Sequence, residues 1–422
     1  MEAVSRWYAS SGLAAFSHRL TKQLAVANKQ ENSSGADGEI KKPRNLVFSP
    51  LSVYTALSLA AAGAQGTTLS EILEVLGARS RERLADNVRF MTERAFPDER
   101  QPGGGPRVVH ACGLWHDARY KLKPAYRDAA AASCKAVARA VDFLKKPKEA
   151  VDLINKWVAA ATNNLITSII AGAVPRDTDV ILVSAVYFKG LWAKPCNKRS
   201  TKLDTFTRLD GATVDRPFMR STERQYIGCH HGFKVLRLQY KQGPPSGRFL
   251  MRVFLPDAHD GLWALVDRIA SGRGFLRDHL PTQLVAVGKF RLPKFTPEFS
   301  GDITSTVKTL GLHHVFDTGE ADLSKMVEGK GRLALSRVIE VNEEGTKAAA
   351  VTGVVMCGAS ARKAQVPVPV DFVADHPFAF FVIDEVSGAI LFSGHARPEL
   401  NNIKRTHEKF YLESVQLYQC SR

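Results

Sequence analysis

Val341-Asn342-Glu343-Glu344-Gly345-Thr346-Lys347-Ala348-Ala349-Ala350-Val351-Thr352-Gly353-Val354-Val355-Met356 alternates along its length. Thr346, Ala348, Ala350, Thr352, Val354 and Met356 are all small or apolar, while Lys347, Ala349, Val351, Gly353, Val355 and Cys357 carry the only charge. A period of two with one uncharged face is the pattern of a strand buried on one side. Three consecutive alanines, however, have poor strand propensity and little bulk. Gly345 precedes them, and the patternless run Gly358-Ala359-Ser360-Ala361-Arg362-Lys363 follows soon after. The segment can therefore enter a sheet without a strong drive to pack as a core strand, and its small side chains let it slide past neighbours. An Ala-rich helix or linker is the competing reading; the β-branched residues and the period of two weigh against a helix.

Outward from this segment, Val180 to Phe188 is apolar at successive positions, which predicts a strand buried on both faces. Further strands are expected at Val108–Leu114, Arg248–Leu255, Gln283–Leu292, Leu335–Val341 and Ala379–Phe392. Leu13, Phe16, Leu20 and Leu24 repeat at helical spacing, so a helix should begin near Ser10. Ser49 can cap and Pro50 suits a first turn, giving a helix over Leu51–Ala62 that stops at Gly63. A second helix runs from Thr67 to Leu76 and ends at Gly77. A longer one is expected over Val151–Ile170, with Ile154, Trp157, Val158, Leu165 and Ile166 on its apolar face. Helices and strands mix irregularly, and several strands need distant partners, so the class is α+β layers.

The chain has 422 residues, 45% hydrophobic and 24% charged, which excludes disorder and a fibre. Length alone would suggest two or three domains. No run approaches the 18 or so apolar residues of a membrane-spanning helix. Residues 1–29 make a poor secretory signal, because Ser10, Ser11, His18 and Arg19 interrupt the apolar run. The six cysteines form no Cys-x-x-Cys pair and lack zinc spacing with histidine, so they read as free thiols of a reducing compartment. Hydrolase elbow, zincin and phosphate-loop motifs are absent, and Gly329-Lys330-Gly331 precedes a strand instead of following one. No cofactor or metal is expected. His230-His231 and His313-His314 read as surface pairs. The net charge of +16 and the clusters Lys194, Lys198, Arg199, Lys202 and Arg216, Arg220, Arg224 read as solvated faces, with polyanion binding as the alternative.

Several motifs in order resemble one family, the serpins, and most closely its plant members. Asn45-Leu46-Val47-Phe48-Ser49-Pro50-Leu51-Ser52-Val53, Gly63-Ala64-Gln65-Gly66-Thr67-Thr68 and Val186-Tyr187-Phe188-Lys189-Gly190-Leu191-Trp192 carry the resemblance. So do Leu292-Pro293-Lys294-Phe295, Asp371-Phe372-Val373-Ala374-Asp375-His376-Pro377-Phe378 and Leu391-Phe392-Ser393-Gly394. The resemblance implies one α+β domain over residues 1–400, with three β-sheets, eight or nine helices and an exposed reactive loop. Residues 29–44 become a surface loop, 343–370 the hinge and reactive loop, and 401–422 a disordered tail.

The resemblance also implies a suicide substrate with no catalytic residue of its own. A protease attacks the loop, and the cut loop inserts into the central sheet and traps the acyl-enzyme. Glu343, Glu344, Gly345, Thr346, Ala348, Ala349 and Ala350 match the inhibitory hinge, with Lys347 standing where Glu is usual. Family spacing from Glu343 places the reactive bond at Ala359–Ser360, flanked by Cys357, Gly358, Ala361 and Arg362. A small residue there suits an elastase- or subtilisin-like serine protease, with a cysteine protease as a second class of target. Cleavage at Arg362 would lengthen the inserted segment and give substrate behaviour.

Ser49, Ser52, Ser184 and Leu335 fall at the family's shutter, and Trp192 and Lys294 at its breach. Ser184 replaces a usual Asn and Leu335 a frequent His, two positions that hydrogen-bond in the family. Cys112 stands for a usual Asn and Cys196 for a usual Phe. These departures should change how readily the sheet parts, and a non-inhibitory binding or carrier serpin is the alternative function. The expected protein is a monomer with no membrane partner. Its cysteines argue for the cytoplasm, and the family's many secreted members keep an extracellular site of action open.

Overall fold

The run Val180–Leu191 forms the strand around which the chain is layered. A computed structural model describes residues 12–24, 46–96, 105–242, 248–272, 274–295, 298–329, 333–347 and 368–396. For residues 46, 298–301 and 339–347 the description is of the backbone alone. In chain order the first elements are α1 (residues 12–24), β1 (Leu46–Phe48), α2 (Pro50–Gly63), α3 (Gly66–Leu76), α4 (Arg81–Ala95), β2 (Arg107–Asp117), α5 (Pro124–Cys134), β3 (Val137–Val141) and α6 (Pro147–Ala161). Then come β4 (Val180–Leu191), β5 (Lys202–Thr207), β6 (Thr213–Arg220), β7 (Gln225–His230), β8 (Phe233–Gln239), β9 (Phe249–Pro256), α7 (Leu262–Ser271) and α8 (Phe275–Asp278). The remainder is β10 (Leu284–Val285), β11 (Val287–Pro293), β12 (Glu298–Asp302), α9 (Thr304–Thr309), β13 (Leu335–Lys347), β14 (Val370–Val373), β15 (Phe378–Asp384) and β16 (Ile390–Ala396).

Among the described residues these strands make three sheets: β1-β16-β15-β9-β8-β7-β10, β14-β11-β6-β5, and the central β12-β13-β4-β2-β3. The α+β class and the three sheets are as expected. The apolar run of β4 is buried on both faces, because alternate residues serve two cores. Val180, Leu182, Val186 and Phe188 join the main core, whereas Ile181, Val183, Ala185 and Tyr187 pack with α6 residues Val151, Ile154 and Val158. A third core lies between the seven-stranded sheet and α7 with α8.

Local signals account for several boundaries. Ser49 caps α2 by accepting a hydrogen bond from Ser52 N at 3.2 Å, and Pro50 fills the first turn. The helix is buried on nearly every side; Thr55 and Ser58 hydroxyls satisfy themselves by donating to the Leu51 and Tyr54 carbonyls. Gly77 ends α3 in the left-handed region at φ 62°. In α1, Leu13, Phe16 and Leu20 are fully buried, each burial contributing about 1.5–3 kcal/mol.

Other boundaries correct the sequence. The helix expected over Val151–Ile170 ends at Ala161, where the Thr162 hydroxyl donates to Val158 O and accepts from Ile166 N. Asn163 and Asn164 then take left-handed φ values of 51° and 58°, so Leu165 and Ile166 reach the same core from a turn. The single strand expected over Ala379–Phe392 is a hairpin. The Asp384 carboxylate accepts from Ser387 N, and Gly388 at φ 71° reverses the chain. The strand expected over Gln283–Leu292 divides between two sheets: β10 pairs with β7, and β11 with β6 and β14.

The pair His313-His314 is more than a solvated surface. Glu71 on α3 accepts from both backbone N–H groups at 2.9 Å and from the His314 ring. Burial alone would raise the Glu71 carboxyl, but these hydrogen bonds hold it below its ordinary value, while Glu71 raises His314 above 6.5. The stabilisation from charging His314 is complete below pH 6.5 and disappears as pH rises through its raised pKa. The Glu71 contribution is complete above pH 4.5 and is lost as pH falls through its lowered value. Thermal denaturation of wild type and His314→Asn across pH 4–9 should therefore show their largest difference in the mildly acidic range and a shrinking one toward pH 9. A pH-independent difference would contradict this coupling.

Candidate functional site

The joint between β13 and β4 is parallel from Leu335 opposite Val180 to Lys347 opposite Leu191, with one register shift between Leu335 and Arg337. Beyond it, β12 lies antiparallel to β13 and β2 antiparallel to β4. The expected strand Leu335–Val341 thus extends to Lys347. Glu343, Glu344, Gly345 and Thr346, expected at the start of a loop, have strand backbone paired with Tyr187, Phe188, Lys189 and Gly190. The reason is local: β4 itself continues to Leu191 and offers its hydrogen-bonding edge that far. Ala348, Ala349, Ala350, Cys357, Gly358, Ala359, Ser360, Ala361 and Arg362 lie outside the described residues, as do the 29–44 loop and the 401–422 tail.

At mid-sheet, the period of two turns Ser184 to the same face as Leu182 and Val186, where α2 passes beneath. The Ser184 and Ser52 hydroxyls share a buried hydrogen bond, and Ser49 holds Ser52 N from the helix cap. Three of the four residues expected at the shutter therefore meet. Leu335 does not join them: it pairs with Val180, and Ser184 lies opposite Glu340. Four residues along β4 separate these positions, about 13 Å. The buried Ser184 hydroxyl takes its partner from α2.

Ser184→Ala should leave Ser52 without this partner and cost about 1–3 kcal/mol by chemical denaturation. Ser52→Ala/Ser184→Ala should cost clearly less than the two single losses added together; strict additivity would remove the bond from the account.

A second fastening, not signalled by any motif, lies at the start of the seam. Asp179 N donates to Ser336 Oγ at 2.9 Å, and Ala334 N reaches Asp179 Oδ2 at 3.5 Å. The Tyr120 hydroxyl and the Arg119 guanidinium complete the shell of this buried carboxylate. A solitary Asp before an apolar strand looks like any strand entry; only the fold brings residues 120, 179 and 336 together.

At the far end, Trp192 stacks on Tyr240 with ring centroids 4.4 Å apart, and Phe188 meets the same Tyr240 edge-on at 4.9 Å. Ala193 N and Lys241 N close the backbone contact by donating to Gln239 O and Leu191 O. Gly190 is required here, since a Cβ would sit 2.3 Å from Tyr240 Cδ1. Gly190→Val should lower stability by about 3 kcal/mol through overpacking, visible as a lower urea midpoint with an unchanged slope. Lys294 follows β11; its N–H donates to Pro217 O at 2.8 Å and its side chain is exposed. Cys196 is half-buried against the main core, and burial raises its thiol. Cys112 is fully buried, its thiol pushed far up by desolvation and by nearby Cys134.

The central five-stranded sheet is parallel at its β13–β4 joint, and in sequence β13 leads into the small-residue segment. The family model for serpins, serine protease inhibitors, matches residues 12–398, and the chain belongs to this family. It is 49% identical over 417 residues to putative serpin-Z6C of Oryza sativa subsp. japonica, covering 94% of this chain and 98% of that one. Serpin-Z7 of Hordeum vulgare is 40% identical over 372 residues, covering 85% and 91%. Among solved structures, Arabidopsis AtSerpin1 in its native stressed conformation matches with a TM-score of 0.83 and 32% identity, over 94% of this chain and 99% of that one. The plant type expected from the motifs accords with these relatives.

Proposed function

We propose that the chain is an inhibitory serpin that acts once, as a suicide substrate for a serine protease of elastase- or subtilisin-like specificity. The observation that carries this reading is the parallel seam between β13 and β4. Chain that continues past Lys347 and turns back into that seam would run antiparallel to both neighbours. One parallel ladder would then be exchanged for two antiparallel ones, which are slightly stronger per residue. The protease serine attacks the Ala359 carbonyl, the Ser360 amine leaves, and an acyl-enzyme forms. Freed at Ala359, the segment enters the sheet and carries the acylated protease with it. The protease provides all the bond chemistry.

The buried shutter hydroxyls and the Asp179 fastening are the contacts that must yield, and the aromatic cluster around Tyr240 anchors the end where insertion starts. Cysteines 112, 134, 196 and 229 are free thiols, which supports action in the cytoplasm. Among the described residues no helix is long and apolar enough to cross a membrane. Within the basic clusters Arg220 pairs with Asp204, a carboxylate it shares with Arg291 of β11.

Incubation with elastase-, subtilisin-, trypsin- and papain-type proteases, followed by denaturing electrophoresis and mass mapping, tests the proposal. An SDS-stable complex with elastase or subtilisin, and a cut after Ala359, is expected. Clean cleavage without any complex would return the chain to the non-inhibitory binding or carrier reading.

A further inference from the structure

We infer that His259, Asp375 and His376 form a binding site for a divalent transition metal of the zinc class. The three residues come from two loops, one between β9 and α7 and one between β14 and β15. One potential ligand atom from each lies within 4.8 Å of the others. None of them takes part in the β13–β4 seam, so the inference is independent of the inhibitory reading.

Both loops are built firmly. Asp257 N donates to Gly232 O at 3.0 Å, and Gly261 N to Ala258 O at 2.9 Å, closing a turn around His259. On the other side Thr207 N donates to the Asp375 carbonyl at 2.7 Å. His376 is buried, and its Nε2 lies 2.7 Å from Pro256 O. That carbonyl can only accept, so Nε2 donates to it. A backbone carbonyl on the remote ring nitrogen is the usual outer-shell support of a metal-bound histidine, because it fixes the ring and directs the other nitrogen to the ion.

That other nitrogen, Nδ1, is 2.8 Å from Asp375 Oδ1. One proton joins the two atoms in a hydrogen bond. Metal binding replaces that proton: bonds form to Nδ1 and the carboxylate, and the proton leaves to solvent.

His259 completes the set. Its ring stacks on His376 at 4.5 Å and 20°, and the residue is exposed. Tetrahedral zinc with bonds near 2 Å places ligand atoms about 3.3 Å apart. Asp375 Oδ1 and His376 Nδ1, 2.8 Å apart, would open by about 0.5 Å to reach that spacing, and His259, within 4.8 Å, would turn to close on the ion. Two imidazoles and one carboxylate favour Zn²⁺, Co²⁺ or Ni²⁺ over Ca²⁺ or Mg²⁺, and three protein ligands leave a fourth position to water. Bound metal would tether the loop following β14, the strand that re-enters the fold after the reactive segment.

The test uses the full chain, stripped with chelator and titrated with Zn²⁺ by calorimetry and with Co²⁺ by visible absorption. Wild type should bind one Zn²⁺ with proton release and a raised thermal midpoint, and its Co²⁺ bands should lack thiolate charge transfer. His259→Ala should keep the metal-free midpoint and weaken Zn²⁺ binding at least tenfold; Asp375→Asn should weaken it similarly. Equal Zn²⁺ affinity in His259→Ala, a thiolate charge-transfer band pointing to exposed Cys229, or no uptake at micromolar zinc would each overturn the site.

Discussion

Cleavage of the native protein after Ala359 should raise its thermal midpoint by about 20 °C. The size follows from the seam. β13 and β4 pair in parallel at twelve positions, Leu335 and Arg337 through Lys347. An inserted strand of similar length replaces that ladder with two, a net addition of roughly one ladder. At about 1 kcal/mol net per hydrogen bond this is on the order of 10 kcal/mol. A domain of this size gains roughly 2 °C per kcal/mol, which gives the expected shift. Both faces of β4 are already buried between two cores, so apolar contacts of the inserted residues add to the gain. Calorimetry on intact and cleaved protein decides the matter, and an unchanged midpoint would show that the cut segment stays out of the sheet.

Replacing Ala350 by Arg should abolish SDS-stable complexes while leaving cleavage after Ala359 nearly as fast. An inserted strand beside β4 has no solvent-facing side along Val180–Phe188, where every residue is buried. A guanidinium entering that slot has neither water nor a partner, a penalty of several kcal/mol. Insertion competes with deacylation of the bound protease, so slowing it by even a few kcal/mol diverts the reaction to free enzyme and cut inhibitor. The stabilisation of the cleaved form should shrink in the same variant. Ala350→Val, which keeps the position apolar, should still form complexes. If Ala350→Arg traps protease as efficiently as wild type, insertion to that depth is not part of the mechanism.

Much of the fold could be read along the chain. Continuous apolar character marked β4 as doubly buried, Ser49-Pro50 marked the start of α2, and Gly77 the end of α3. What failed were readings in which a local pattern was right and its continuation was settled elsewhere. Leu165 and Ile166 suit the helix period, but Thr162 and two left-handed asparagines end α6 and deliver them by a turn. Ala379–Phe392 is apolar at both ends, and the Asp384–Ser387 contact folds it into a hairpin. The shutter residues Ser49, Ser52 and Ser184 were legible as positions; that two serines would bond each other across 132 residues was not.

By itself the sequence determined the α+β class and the family, because these depend on residue type and spacing, and it named the hinge and reactive bond that the cleavage experiments test. Tertiary structure decided the rest. It extended β13 through the hinge to Lys347, since strand length depends on how far the partner β4 offers its edge. It moved Leu335 away from Ser184, since register is a property of two strands together. It also brought His259 to Asp375 and His376, a meeting of two loops whose proximity no local pattern encodes.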